Sequence, residues 1–196
     1  MKLDEQFYQR SNVVQIAREL LGKILYTRMG DLTTAGMIVE TEAYSWKERG
    51  CHAYESKKTK RNEIMFEAGG FAYVYLCYGM HHLFNVVTNK DQVADAVLIR
   101  ALEPKAGEQH MLARTHAKSV SRITSGPGKL TKALGIDPKM NGKYLLEDEI
   151  WIEDAGIKIA RKDIVACPRI GIDYAGEDAN LPWRFFIKNN LWVSKP

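Results

Sequence analysis

Cysteine is scarce in this chain: three among 196 residues, at Cys51, Cys77 and Cys167, an odd number without CxxC spacing. Such a pattern offers neither a disulfide framework nor a zinc knuckle, and it fits a reducing compartment. Long hydrophobic runs are missing as well. No stretch approaches the ~18 apolar residues of a membrane span, and the opening MKLDEQFYQR mixes charges without the apolar core of a signal peptide. The expectation is a soluble, cytoplasmic protein with no membrane partner. A strong charge bias is equally absent: 28 Lys and Arg face 24 Asp and Glu, for a net charge of +4 at pH 7. That balance permits a nucleic-acid partner without requiring one. Internal repeats, low-complexity segments and linkers are also lacking. What is present, 45% hydrophobic residues in a chain of this length, suffices for a substantial core. A single domain over residues 1–196 is expected.

Ser11 followed by Val13, Ile16, Ala17, Leu20 and Leu21 reads as a capped amphipathic helix stopped by Gly22. Lys23 to Met29 and Thr34 to Tyr44 are extended runs around GDL, a first hairpin. Ser45 to Glu63 is polar and almost without periodicity, and a surface loop of that length usually has a function. YVYLCYGMHHLFNVV reads as a second hairpin with a two-residue turn, and AVLIRALEP as a buried strand ended by Pro104. Residues 105–118 permit a helix, and SGPGKLTKALGI has Pro127 near a helix start and Gly135 after its end. Beyond these, 149–153, 157–161 and 184–188 are strand candidates. The order of elements predicts an α+β fold with a curved, largely antiparallel sheet, surrounding helices and a protruding β-hairpin.

In GMIVETEAY, alternation puts Ile38, Glu40, Glu42 and Tyr44 on one strand face, with the carboxylates about 7 Å apart. Two readings fit: a solvated sheet edge, or a partly enclosed acid/base pair of the kind glycoside hydrolysis uses. His52 is a lone loop histidine, ordinarily structural, that counts only in combination with other residues. His81 and His82 point to opposite faces and His110 and His116 are poorly spaced, so no metal site is expected. Lys57, Lys58, Lys60 and Arg61 form a basic run. The GPG turn with Lys129 could offer backbone N–H groups to a phosphate. Most unusual is Tyr78 beside Gly79: a large aromatic at a hairpin tip is either packed under a loop or meant to enter something else.

Taken together, IVETEAY, the CHAY histidine, TKRN, YVYLCYGMHHLFNVV, VLIRALEP and SGPGKL occur in the order and spacing of the alkyladenine (3-methyladenine) DNA glycosylase family. The resemblance spans nearly the whole chain. It implies a base-excision repair enzyme that takes alkylated or deaminated purines (3-methyladenine, hypoxanthine, ethenoadenine) from double-stranded DNA without a cofactor, acting as a monomer at the nucleoid. By the same resemblance, Glu42 is the catalytic base and Arg100 helps place it and its water. Tyr44, His52, Tyr75 and Asn85 line the base pocket, Asn85 crowding the guanine amino group. Tyr78 enters the duplex, while Arg61, Tyr73, Met80 and Lys129 meet the DNA backbone. Glu40 is left a structural role. Lys60 in TKRN, where the family is expected to have proline, and the HH pair after Met80 depart from that pattern. Two other readings remain open here: a non-catalytic damage-binding module on the same scaffold, and a carbohydrate hydrolase with an open, Trp-lined groove.

Overall fold

Local capping sets the first elements of the computed structural model, which describes residues 1–195; Pro196, included in the expected domain span, lies outside the described residues. A one-turn helix, α1 (Glu5–Tyr8), starts where the Asp4 carboxylate accepts from the Phe7 N–H. The Val13 stripe forms α2 (Val13–Glu19) and buries Val13, Ile16 and Ala17. Its cap is Asn12 rather than Ser11: the Asn12 side chain accepts from the Gln15 N–H at 3.0 Å, the usual N-cap to N3 geometry. Gly22, at φ +84, turns the chain into the sheet.

All strand pairings are antiparallel. The strands are β1 (Ile24–Met29), β2 (Leu32–Tyr44), β3 (Ala72–Cys77), β4 (His81–Thr88), β5 (Asp95–Ala106), β6 (Ile150–Glu153), β7 (Ile164–Cys167) and β8 (Arg184–Ile187). Together they make one 8-stranded sheet whose main path runs β3-β4-β5-β2-β1-β6. Strand β2 is its trunk. On one edge it pairs with β5 along nearly its whole length; on the other, residues up to Met37 pair with β1 and Glu40 to Glu42 pair with β8. The fork arises because β2 is long enough for two short partners, and β8 brings β7 with it. The helices α2, α3 (Glu108–Thr115) and α4 (Pro127–Leu134) close over the sheet. Ile16, Leu20, Ile99, Leu102, Met111 and Leu130 share the main core there, each such side chain contributing about 1.5–3 kcal/mol by leaving water. The expected α+β class, with an antiparallel sheet and flanking helices, is the observed one.

Several local expectations differ. Pro104 does not end β5, which continues to Ala106, because Pro104 pairs with Gly36 at a register shift where a missing N–H is tolerated. Residues 157–161 form no strand; β7 lies just beyond them. The β3–β4 turn holds three residues rather than two: Cys77 pairs with His81, and the Met80 N–H donates to the Cys77 carbonyl.

The long loop after β2 contains two short 3-10 turns, Tyr54–Ser56 and Glu63–Phe66, and is organised by a buried side chain. Asn62 donates to the carbonyls of His52 at 2.8 Å and Lys57 at 2.9 Å, and accepts from the Thr59 N–H and hydroxyl. Replacing a polar hub of this kind leaves several backbone groups unpaired. Asn62→Ala should therefore lower stability by about 1–3 kcal/mol. Urea denaturation checks this, and an unchanged midpoint would show that the loop does not depend on Asn62.

Candidate active site

The alternation expected of GMIVETEAY is broken where it matters most. The β2–β5 register shifts between Ile38 and Glu40, and again between Glu40 and Thr41. Val39 and then Arg100 are thus left without a directly paired neighbour, as in bulges that re-aim side chains. Ile38 turns into the main core, so it does not share a face with the carboxylates. Arg100 is redirected between them. Its Nε donates to Glu40 Oε1 at 3.0 Å, and its Nη1 lies 3.2 Å from Glu42 Oε1.

Both carboxylates have no solvent exposure, yet their surroundings differ. Glu40 takes four hydrogen bonds: its Oε1 accepts from Arg100 Nε, Arg184 Nε at 2.6 Å and the Ser194 hydroxyl at 2.9 Å, and its Oε2 accepts from the Ser194 N–H at 2.7 Å. Glu42 has two hydrogen-bond donors and one ion-pair partner. The Ile170 N–H reaches Oε1 at 2.8 Å, the Tyr44 hydroxyl reaches Oε2 at 2.8 Å, and Arg100 completes the set. Oε2 has the Tyr44 hydroxyl as its one donor among the described residues, which leaves a lone pair on that oxygen. Burial opposes the charge of Arg100, but Glu42 and Glu40 outweigh it and hold its pKa above the ordinary arginine value.

Tyr44, Arg100 and Ile170, the three residues that hold Glu42, all line a cavity of about 740 Å³. That volume falls within the usual range for small-molecule sites. His52, Tyr75 and Asn85 line it too. The His52 and Tyr75 rings meet edge to face at 4.7 Å, with Tyr73 tilted against Tyr75 at 5.2 Å. Guanidinium groups occupy one side of two of these rings, Arg61 over Tyr75 at 4.9 Å and Arg169 over Tyr44 at 4.7 Å. Both tyrosines also line the cavity. Burial first, and Glu42 second, raise Tyr44 well above the ordinary phenol pKa; burial does the same to Tyr75. Both remain neutral donors at physiological pH. Asn85 donates to the Tyr73 carbonyl at 3.1 Å, which holds its side chain against the β3 edge of the cavity.

At the cavity mouth the β3–β4 hairpin carries Leu76, Tyr78 and Met80, which are 51%, 84% and 74% exposed. Tyr78 adopts φ +50, a left-handed conformation that costs a non-glycine residue about 1–2 kcal/mol. An aromatic ring kept in water at that cost indicates selection for something other than folding. Tyr73, expected at the DNA backbone, is placed differently. It is 1% exposed, and its hydroxyl lies 2.9 Å from His52 Nδ1, so its side chain supports the cavity wall instead of facing outward.

The family model for methylpurine-DNA glycosylase (MPG) matches residues 6–191. Full-length relatives carry the provisional name 3-methyladenine DNA glycosylase. One from Carboxydothermus hydrogenoformans is 48% identical over 195 residues, 100% of each chain; one from Natranaerobius thermophilus is 42% identical over 198 residues, 99% of each. A third, from Methanocella arvoryzae, is 48% identical over 196 residues, covering 98% of this chain and 96% of its own. The chain belongs to the methylpurine-DNA glycosylase family. It is thus an enzyme of DNA repair, an N-glycosyl hydrolase whose substrate is DNA.

A second feature of this glycosylase faces the same cavity. The N-cap Gly126 and the first residues of α4, Pro127 to Lys129, line it together with Ser125, whose hydroxyl is buried and has no partner among the described residues. Gly128 lets the helix approach the hairpin, since a Cβ there would lie 2.7 Å from the His81 ring. Lys129 is exposed at that helix start, as Arg61 is beside Tyr75. Among the described residues no cluster of His, Cys, Asp or Glu could hold a metal ion, and no helix is long and apolar enough to cross a membrane.

Sequence reasoning missed Ile170, Arg169, Glu48 and Ser125. Ser125 lies in the GPG block already noted. The RIGI segment gave no sign, because the useful group on Ile170 is a backbone N–H that every residue but proline carries.

Solvent reaches the His52 ring, but the ring lies inside the concave cleft between protein walls. Burial, and secondarily Arg61, push its pKa down from 6.5 to about 4. Tyr73, itself raised by burial, is protonated and can donate to Nδ1, leaving the ring proton on Nε2. Because the folded value lies below the unfolded one, the neutral ring's contribution to stability is fully present above pH 6.5 and is lost as pH falls toward 4. An NMR titration of the His52 imidazole should find it neutral at pH 5.5; a midpoint near 6.5 would contradict this environment.

Proposed function

We propose that the enzyme flips alkylated or deaminated purines (3-methyladenine, hypoxanthine, ethenoadenine) out of double-stranded DNA and hydrolyses the N-glycosidic bond, with Glu42 as general base. The observation that carries this reading is the carboxylate of Glu42, held by two hydrogen bonds and the Arg100 guanidinium behind an aromatic-lined cavity and keeping a lone pair on Oε2 for a water. That water attacks the anomeric carbon while the bond to the base breaks with its electrons leaving on the purine. Its proton passes to Glu42, whose negative charge also stabilises the oxocarbenium-like sugar. Arg100 orients the carboxylate. No amine attacks the sugar, so the product is an abasic site in an uncut strand.

Extruding a nucleotide costs a few kcal/mol and leaves a gap in the stack. Tyr78, already projecting from the protein, fills that gap and recovers about 1–3 kcal/mol of stacking. The rings of Tyr44 and Tyr75 hold the purine, a cationic alkylpurine more strongly than its neutral parent. His52 offers an Nε2 proton, and Asn85 crowds the position of the guanine amino group. Arg61, Lys129 and the α4 start carry the strand's phosphates, with Met80 beside Tyr78 at the minor groove. Every group invoked comes from one chain, so a monomer suffices.

Two experiments test the reading. Glu42→Gln should bind a hypoxanthine-containing duplex as the native enzyme does, while excision, read as alkali-labile strand breaks, falls by about 100-fold or more. Equal cleavage by both proteins would refute the role of Glu42. Tyr78→Ser should weaken binding to a paired lesion by about 10-fold or more, as expected from the lost stacking, yet barely change binding to the same lesion in a single strand. Equal losses on the two would remove Tyr78 from the duplex.

A further inference from the structure

Of the three groups that hold Glu42, Arg100 is itself held by Glu40. The other two, the Tyr44 hydroxyl and the Ile170 N–H, meet at a second ion pair outside the cavity. Arg169 and Glu48 are almost fully buried and paired bidentately, Nη1 to Oε1 at 2.6 Å and Nη2 to Oε2 at 2.7 Å. The same guanidinium donates to the Ala43 carbonyl at 2.9 Å, between Glu42 and Tyr44 in the chain, and to the Asp178 carbonyl at 3.2 Å. Its plane covers the Tyr44 ring. Glu48 Oε2 also accepts from the Gly50 N–H at 2.7 Å, on the segment that leads to His52.

A buried ion pair is by itself weak evidence of anything but structure, because apolar residues of similar size stabilise a fold at least as well. Its connections are the informative part. The residue after Arg169 supplies a hydrogen bond to Oε1 of Glu42, and the ring beneath the guanidinium supplies the one to Oε2. Fixing Arg169 therefore fixes two donors from segments more than 120 residues apart in the chain. A bidentate fork can impose that orientation, whereas a lysine, a point charge on a flexible stem, cannot.

We propose that Arg169 and Glu48 form a positioning pair that aims the Glu42 carboxylate, acting on the rate of bond cleavage and hardly on DNA affinity. This rests on Glu42 being the base. The assay is single-turnover excision of 3-methyladenine, a labile cationic substrate on which slow variants stay measurable, with duplex affinity and thermal unfolding measured alongside. Misplacing a reacting group by about an ångström costs up to about 100-fold, so Arg169→Lys should excise about 10- to 100-fold more slowly. Its duplex dissociation constant should stay within about threefold. Glu48→Gln, which keeps one acceptor for the fork, should fall between Arg169→Lys and the native enzyme, and it carries the same test if Arg169→Lys does not fold. In a Glu42→Gln background, Arg169→Lys should cause no further loss, since the group it aims is gone.

Rate and affinity falling together in proportion to the unfolded fraction, or losses that add in the double variant, would overturn the positioning role. Those results leave Glu42 as the base. Full excision by Glu42→Gln alone would instead remove the base itself, and with it the object of the pair.

Discussion

A carboxylate without solvent exposure cannot be left to orient itself, and the structure around Glu42 is organised by that constraint. Its donors come from β2, from β5 and from the segment after β7, so three separate parts of the chain must meet within hydrogen-bonding distance of one side chain. The long, forked trunk strand makes that meeting possible. Because β2 pairs with β5 on one edge and with β8 on the other, it brings the C-terminal third of the chain behind the cavity. The bulges at Val39 and Arg100 then turn an arginine toward two glutamates that a regular ladder would have left side by side and unpaired. Taking such charges out of water costs several kcal/mol per ion unless partners compensate. The Glu40 network, reaching to Ser194 near the end of the chain, supplies that compensation for Arg100.

The other half of the site is built on the opposite principle. The hairpin keeps apolar surface exposed and holds Tyr78 in a strained backbone conformation, so here stability is given up for reach. The base of the hairpin is firm. Tyr73 and Phe84 are buried, Asn85 ties β4 to β3, and α4 is anchored to β4 by the Thr131 hydroxyl donating to the His82 carbonyl. A rigid stem under an exposed tip suits insertion between stacked bases, where a floppy loop would lose the entropy of ordering on each encounter.

The two halves share one cavity, which explains the density of aromatic and cationic side chains around it. Arg61 and Arg169 each lie over a tyrosine ring and hold it in place beside the cavity. The neutral His52, paired with Tyr73 and hung on a loop stapled by Asn62, closes a third side.

Much of this was legible in the amino-acid sequence, because it rests on local patterns. The helical stripe from Val13, the alternating or continuous apolar strands and the glycine-bearing turns follow from periodicity and turn chemistry, which neighbouring residues determine by themselves, whereas whether Tyr78 is exposed or packed under a loop does not. The family resemblance was likewise carried by short ordered blocks. The tertiary structure alone decided the register of β2 against β5, the pairing of each carboxylate with its arginines, the burial of Tyr73, and the arrival of the Ile170 N–H and Arg169 at Glu42. These depend on bulges and on contacts between segments more than 120 residues apart, and no local propensity encodes which distant backbone group will meet a buried charge.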